Sequence, residues 1–425
     1  MDIAFLDMVL LGTYFILLFF SIFWLLVLFT REKEEEKEIK KTKLSNHPFF
    51  TVIVPAYNEE ASIFRTLESL TDLDYPIEKI EIIVVNDGSK DQTPKIVRQF
   101  IKEHPAHKII LLDQENRGKA SAMNKGLALA KGDFFACLDA DSFVAPDALQ
   151  AILPLFENNP NLAAVCPLLK VKTPQSILQK VQWYEYAVNM FYRFLNAKLD
   201  CVHVTPGPFS VYNTKIIKDL GGYDETTITE DLEIAIRLQK NNYKIAHTFD
   251  TVVETVTPAS WKKLFWQRIR WYKGSVDNSI RYRHLMFNKD YGDFGMMRMP
   301  TIALSGILAI ILAGTLLHAL MKLILEKLAF YRSIHFDLFT LIKNYRFEFD
   351  FLVLPFSRLF IAATLIGISF FIMIYSYKLI KEKITNHGKT FVSLLTYLFI
   401  YGFFITAVWV YIAFMFVSRK KNSWF

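Results

Sequence analysis

The chain has 425 residues, 52% of them hydrophobic and 21% charged, with a formal net charge of +7. Its mean hydropathy of +0.23 lies between a soluble chain and a bare membrane bundle, so one water-facing domain joined to several membrane segments is expected. The 38 Phe and 19 Tyr exclude disorder, while only 3 Cys exclude a disulfide scaffold and fit a reducing compartment.

Residues 8–30 carry no charge, and a spanning helix needs about 20 apolar residues. Asp2 and Asp7 precede this run and no small-residue cleavage site follows, so it reads as an uncleaved anchor rather than a signal peptide. The flank 31–43 is rich in Lys and Arg, which places it in the cytoplasm, and its many Glu make part of it a charged, solvated helix. Residues 48–285 contain no spanning run. Apolar strands are predicted over 50–55, 80–85, 108–112 and 133–138, and helices over 59–70, 92–102 and 120–130. Continuous apolar strands alternating with helices predict a buried parallel sheet. In such a sheet the ligand site lies beyond the carboxyl ends of the strands, where residues 56–59, 87–89 and 139–141 fall.

Uncharged runs return at 299–321, 359–377 and 390–418. Between the first two, 322–358 is amphipathic, an external loop or an interfacial helix. The basic stretch 378–389 reads as cytoplasmic. Four spans would put the C-terminus outside, whereas Arg419, Lys420 and Lys421 favour the inside; the sequence leaves that conflict open. The organisation is thus an anchor and charged linker (1–47), a cytoplasmic domain (48–285) and a membrane region (286–425), a multi-pass cell-membrane protein in contact with the lipid bilayer.

Several short motifs carry chemistry, and each has a plainer alternative. Asp139-Ala140-Asp141 leaves a buried strand with two carboxylates that can share a divalent cation with a diphosphate, or form an ordinary solvated turn. Asp87-Gly88-Ser89 is a turn, or a place where Asp87 accepts from a nucleobase N–H beside a close backbone approach. Residues 116–119 precede a helix and, with Lys119, suit phosphate, or form a basic loop. Thr229-Glu230-Asp231 is a capped helix start, or it presents Asp231 as a general base. On a helix, Gln267, Arg270 and Trp271 share one face, offering an amide, a guanidinium for diphosphate and an indole for a sugar. The same helix, and another over 175–199, also read as aromatic helices on the membrane surface. Cys137, Cys166 and Cys201 lack metal-ligand spacing, and His203, His247 and His318 read as structural. Lys and Arg are spread along membrane flanks rather than in one stripe, so no nucleic acid is expected as a partner.

In this order the motifs resemble the family 2 glycosyltransferases, and more narrowly the membrane-embedded processive synthases of poly-N-acetylglucosamine, hyaluronan, chitin and cellulose. The resemblance implies an α/β GT-A (Rossmann-like) domain flanked by transmembrane helices. It implies inverting β-transfer from a nucleotide-diphosphate sugar, a UDP-hexose or UDP-N-acetylhexosamine, to a growing polysaccharide. It assigns Pro55, Ala56, Tyr57, Glu59 and Asp87 to the nucleoside pocket, and Lys119, Asp139, Ala140, Gln267 and Arg270 to the rest of the donor. Asp141 with Asp139 would hold Mg²⁺ or Mn²⁺. Asp231, with Glu230 beside it, matches the catalytic acidic segment, and Trp271, Gly207 and Pro208 match the acceptor site. Pro208 departs from the family's Gly-rich segment. With four spans, export calls for an accessory subunit or a homo-oligomer. Single-sugar transfer to a polyprenyl-phosphate or glycerolipid acceptor, and a non-enzymatic membrane subunit, remain the alternatives.

Overall fold

The computed structural model describes residues 3–30, 44, 46–157, 159–337, 339, 343 and 356–418. The flank 31–43, most of 338–355 and the terminal basic residues, on which expectations were placed, lie outside the described residues. Helix α1 (Ile3–Phe29) is apolar along its length. The domain then alternates strand and helix: β1 (Phe50–Ala56), α2 (Ile63–Thr71), β2 (Ile80–Asp87), α3 (Thr93–Glu103), β3 (Lys108–Gln114), α4 (Lys119–Leu129) and β4 (Phe134–Cys137). The helices form because apolar residues recur at helical spacing; in α2, Ile63, Thr66, Leu67 and Leu70 all face inward. All eight residues of β2 are buried, as a strand covered on both faces requires.

The four predicted strands pair in parallel, with β1 between β2 and β4. The sheet does not stop there, and its second half corrects the expectation of a purely parallel sheet. It continues with β5 (Ser142–Val144), β6 (Leu162–Val171), β7 (Ser210–Asn213) and β8 (Lys244–Thr255), in the order β3-β2-β1-β4-β7-β6-β8-β5. β7 runs antiparallel to both β4 and β6, and β5 antiparallel to β8. Pro167 sits where the β6–β8 register shifts between Cys166 and Leu168, so its missing N–H falls at an irregularity rather than in a regular ladder.

Between β6 and β7 runs α5 (Ile177–Lys198), opened by a capping box between Ser176 and Gln179. It was expected on the membrane surface. Instead Trp183, Tyr184, Met190 and Phe191 are buried, because the helix lies between β6 and the membrane-helix layer. Trp183 packs on Tyr377 with ring centroids 4.8 Å apart, and its indole N–H donates to Glu382 at 2.8 Å. Helix α6 (Glu230–Lys240) precedes β8, and α7 (Trp261–Arg281) follows it. After these come α8 (Met299–Ser333), α9 (Phe356–Leu379) and α10 (Tyr401–Val417).

Among the described residues, four helical segments are long and apolar enough to cross a membrane: Met8–Phe29, Phe294–Ser333, Leu359–Leu379 and Thr390–Val417. The amphipathic stretch expected from residue 322 onward is, as far as Ser333, a continuation of α8 rather than a separate element. Helix α7 packs part of its apolar face against protein, while Trp261 and Trp266 stay exposed. Leu264 and Ile269 are fully buried, the latter in a cluster with Val408, Trp409 and Ile412 of α10.

Candidate active site

The loops at the carboxyl ends of β1, β2 and β3 are locked to one another. The Asn58 N–H donates to Ser89 Oγ at 3.0 Å, the Lys90 N–H to Asn58 Oδ1 at 2.8 Å, and the Glu60 N–H to Asp91 at 3.1 Å. Gly88 has a φ of +74°, and a Cβ there would meet the Asn116 backbone nitrogen at 2.8 Å, so this crossing needs glycine. Asp87 is buried, and its carboxylate accepts from the Gln114 amide (2.8 Å) and from the N–H groups of Arg117 (2.9 Å) and Gly118 (3.0 Å). Two of the N–H groups leading into α4, expected to favour phosphate, are thus taken by Asp87.

A cavity of about 770 Å³ opens where these strand ends meet the membrane helices. Ten of the expected residues line it: Lys119, Asp139, Asp141, Gly207, Pro208, Glu230, Asp231, Gln267, Arg270 and Trp271. Pro55, Ala56, Tyr57, Glu59, Asp87 and Ala140 are not among its lining residues. Ala140, expected in the donor pocket, packs instead into the core, and its carbonyl accepts from the Thr66 hydroxyl at 2.8 Å. It thereby fixes the turn that carries Asp139 and Asp141.

Lys119 is the electrostatic hub. Its Nζ lies 2.5 Å from Asp139 and 3.2 Å from Glu230. Burial works against the ammonium, but these carboxylates hold its pKa well above the lysine range. Burial also raises Glu230, yet the charges of Lys119 and Arg270 prevail and keep it below the usual carboxylate value. Asp231 goes the other way: burial, then the charge of Glu230, push it up to about 6. Two neighbouring acids driven apart in this manner are suited to different roles. Burial, then the charges of Asp139 and Glu59, push Asp141 up to about 7. That excess negative charge, on oxygen ligands alone, fits a hard divalent cation. Among the described residues no three acidic, His or Cys side chains converge into a ready-made cage, so an ion here needs substrate oxygens or water as well.

The turn 205–208 and the start of α6 are joined. Both the N–H and the hydroxyl of Thr205 donate to the Asp231 carbonyl, at 3.2 and 2.9 Å. A Cβ on Gly207 would lie 2.8 Å from Lys119 Nζ and 3.0 Å from Asp139 Oδ2, so any side chain here would displace the lysine ammonium. Thr229 does not cap α6 with its side chain; its Oγ accepts from Asn278 of α7 at 3.1 Å. Helix α7 crosses there at Gly274, whose Cβ would stand 2.4 Å from the Thr229 side chain. This close crossing sets Gln267, Arg270 and Trp271 on the same cavity wall as Asp231.

Sequence reasoning missed the residues behind this wall. Arg268 is fully buried, ion-pairs with Glu185 of α5, donates to Gln267 Oε1 at 2.7 Å and stacks over Trp271 at 4.1 Å. Tyr401 donates to the same Glu185 at 2.8 Å. Arg193, His203 and Arg298 also line the cavity. The signal for Glu185 was a lone acid in an aromatic helix, which needs a buried cation to explain it. The cysteines are buried and free.

Residues 51–221 match the family model described as Glycosyl transferase family 2. The poly-β-1,6-N-acetyl-D-glucosamine synthase of Staphylococcus epidermidis is 31% identical over 270 residues, covering 62% of this chain and 65% of the relative. That of Staphylococcus aureus (strain COL) is 33% identical over 274 residues, covering 62% and 64%. The chain thus spans a little under two thirds of the length of the curated relatives it matches. Among solved structures, a mannosyltransferase from Pyrobaculum calidifontis, in complex with GDP-Man and Mn²⁺, superposes with a TM-score of 0.62 at 20% identity, covering 93% of this chain and 98% of that one. That likeness is one of fold. Residues 51–221 therefore match a glycosyltransferase family 2 domain, the fold is GT-A, and the chain is similar to the poly-β-1,6-N-acetyl-D-glucosamine synthases.

Proposed function

We propose that the protein is a membrane-bound inverting β-glycosyltransferase that moves a sugar from a nucleotide-diphosphate donor, a UDP-hexose or UDP-N-acetylhexosamine, onto a growing polysaccharide. Residues 48–285 form its catalytic unit on the cytoplasmic face, and 1–47 and 286–425 its membrane parts. The observation that carries the reading is the single cavity in which Asp139, Asp141, Asp231 and Arg270 share walls with α1 and α8. The relatives' names point to polysaccharide as the product class.

Lys119 and Arg270 face the departing diphosphate and offset its charge. Asp139 and Asp141 would hold Mg²⁺ or Mn²⁺, which when bound supplies further positive charge to the same oxygens; the fold neighbour was solved with Mn²⁺. Asp231, at about 6, is largely deprotonated at neutral pH and accepts the proton of the attacking acceptor hydroxyl. Trp271, steadied by Arg268, gives the acceptor sugar a flat apolar plate. One displacement inverts the anomeric centre, with no enzyme nucleophile.

The test is a donor panel on the full chain in membranes, with nucleotide release measured and the product sized. Donor-dependent release with long polymer supports the reading, as does loss of transfer with retained UDP binding in Asp231→Asn. Full turnover by that variant would remove Asp231 from its role. A second reading is single transfer to a lipid-borne acceptor. It is favoured by the apolar wall that Leu17, Phe20, Leu304 and Leu308 give the cavity, and an organic-extractable product bearing one sugar would select it.

A further inference from the structure

Besides Arg270, two guanidinium groups in the cavity, both half-buried, make no ion pair among the described residues. Arg193, on α5, lines the cavity, and its Nη1 is buried with no hydrogen-bond partner. Arg298, at the turn entering α8, lines the cavity as well, and its partner is the imidazole of His203, 2.8 Å from Nη2 to Nε2. That imidazole is no counter-ion. Burial, then the charges of Arg298 and Arg193, hold its pKa well below the histidine range, so it is neutral. The acidic charge that reaches Arg193 is that of Asp231, which makes no ion pair with it. Burying an uncompensated cation is costly, and burial lowers Arg193 accordingly. A cavity that keeps two such groups is shaped to receive an anion, and guanidinium forks match phosphate oxygens.

Lys119 and Arg270 are assigned above to the donor diphosphate, which leaves Arg193 and Arg298 on the same cavity wall for a second anion. Arg298 opens a membrane helix whose Leu304 and Leu308 continue along the cavity wall, opposite Phe20 and Trp24 of α1. An anion held here therefore continues into apolar surroundings. We propose that Arg193 and Arg298 form a phosphate subsite for the acceptor, an amphiphile whose phosphate is gripped at the membrane face while its hydrocarbon lies between α1 and α8. The inference rests on the second reading above, in which the acceptor is lipid-borne.

The test uses the full chain in phosphatidylcholine nanodiscs. Binding of a long-chain polyprenyl monophosphate is compared with the corresponding polyprenol, with inorganic phosphate as competitor and UDP binding measured on the same samples. The monophosphate should bind about tenfold or more tightly than the alcohol, resist equimolar inorganic phosphate, and weaken about tenfold or more in Arg193→Gln and in Arg298→Gln. Arg298→Lys should recover part of the loss. If Arg193→Gln does not melt cooperatively, Arg298→Gln, on a separate element, decides. Equal binding of phosphate and alcohol, or unchanged binding in the folded variants, overturns the subsite. Displacement by equimolar inorganic phosphate overturns its lipid source. UDP binding without lipid-phosphate binding sinks this inference alone, whereas failure to bind UDP sinks the proposed function.

Discussion

The crossing of α7 over Thr229 can be tested by one methyl group. In Gly274→Ala the new Cβ would stand 2.4 Å from both Cγ2 and Oγ1 of Thr229, where carbon atoms normally rest about 3.5–4.0 Å apart. The helices must separate by about 1 Å. Alanine favours the helix by about 1 kcal/mol over glycine, and overpacking costs about 1–3 kcal/mol, so net stability should fall by only about 0–2 kcal/mol. Catalysis should suffer more. Arg270 and Trp271 lie one turn away, and a displacement of about 1 Å at reacting groups costs on the order of 100-fold in rate. The assay is nucleotide release at saturating donor, with UDP affinity and melting temperature measured alongside. Adding Thr229→Ala removes both clashing atoms and should restore much of the lost turnover, less what is lost with the Asn278 hydrogen bond. Turnover within about threefold of the parent in the single variant would show that this contact does not set the geometry.

Other expectations follow from the same wall. Since Asp231 acts as a base only when ionised and is pushed up to about 6, kcat/KM at saturating Mn²⁺ should fall about tenfold per pH unit below its pKa; a profile that stays flat in mild acid would exclude it. Glu185→Gln leaves the buried Arg268 without its counter-charge, and breaking such a pair costs about 3–5 kcal/mol, so thermal melting should drop clearly; an unchanged melting curve would contradict the pairing. Removing divalent ions with a chelator should abolish sugar transfer, and Asp141→Asn should raise the Mn²⁺ concentration needed to restore it; full activity in chelator would refute metal binding at this pair.

The first half of the sheet was legible because β1 to β3 are runs of seven or eight residues, and because β4, though only four residues long, lies in the uninterrupted apolar run 134–138 ahead of Asp139. The second half was not. β5 and β7 are three and four residues long, too short for a period, and β6 contains Pro167, which reads as a strand breaker until the bulge is seen. Spacing marked the acidic motifs and the α7 face as candidates, each with a plainer alternative, and the family resemblance chose between them; the cavity gathers Asp139, Asp141, Glu230, Asp231 and the α7 face, but not Asp87. What spacing could not convey is what lies behind a helix. The aromatics of α5 have the same pattern whether lipid or protein covers them, so beyond the lone acid at Glu185 nothing local marked its ion pair with Arg268 or the place of Arg193 on the cavity wall. The Asp87 motif was found, but not that its carboxylate also ties down the loop before α4.

Helix α7 has two masters. One side presents Gln267, Arg270 and Trp271 to the cavity; the other is wedged by Ile269 against Val408 and Ile412, and by Tyr272 stacked on Trp409 with centroids 5.1 Å apart. Tilting α10 would therefore shift the cavity wall that carries Gln267, Arg270 and Trp271. Spanning helices adjust their tilt to the thickness of the surrounding lipid, so on the proposed function turnover should change with acyl-chain length, through the protein interior and without any ligand.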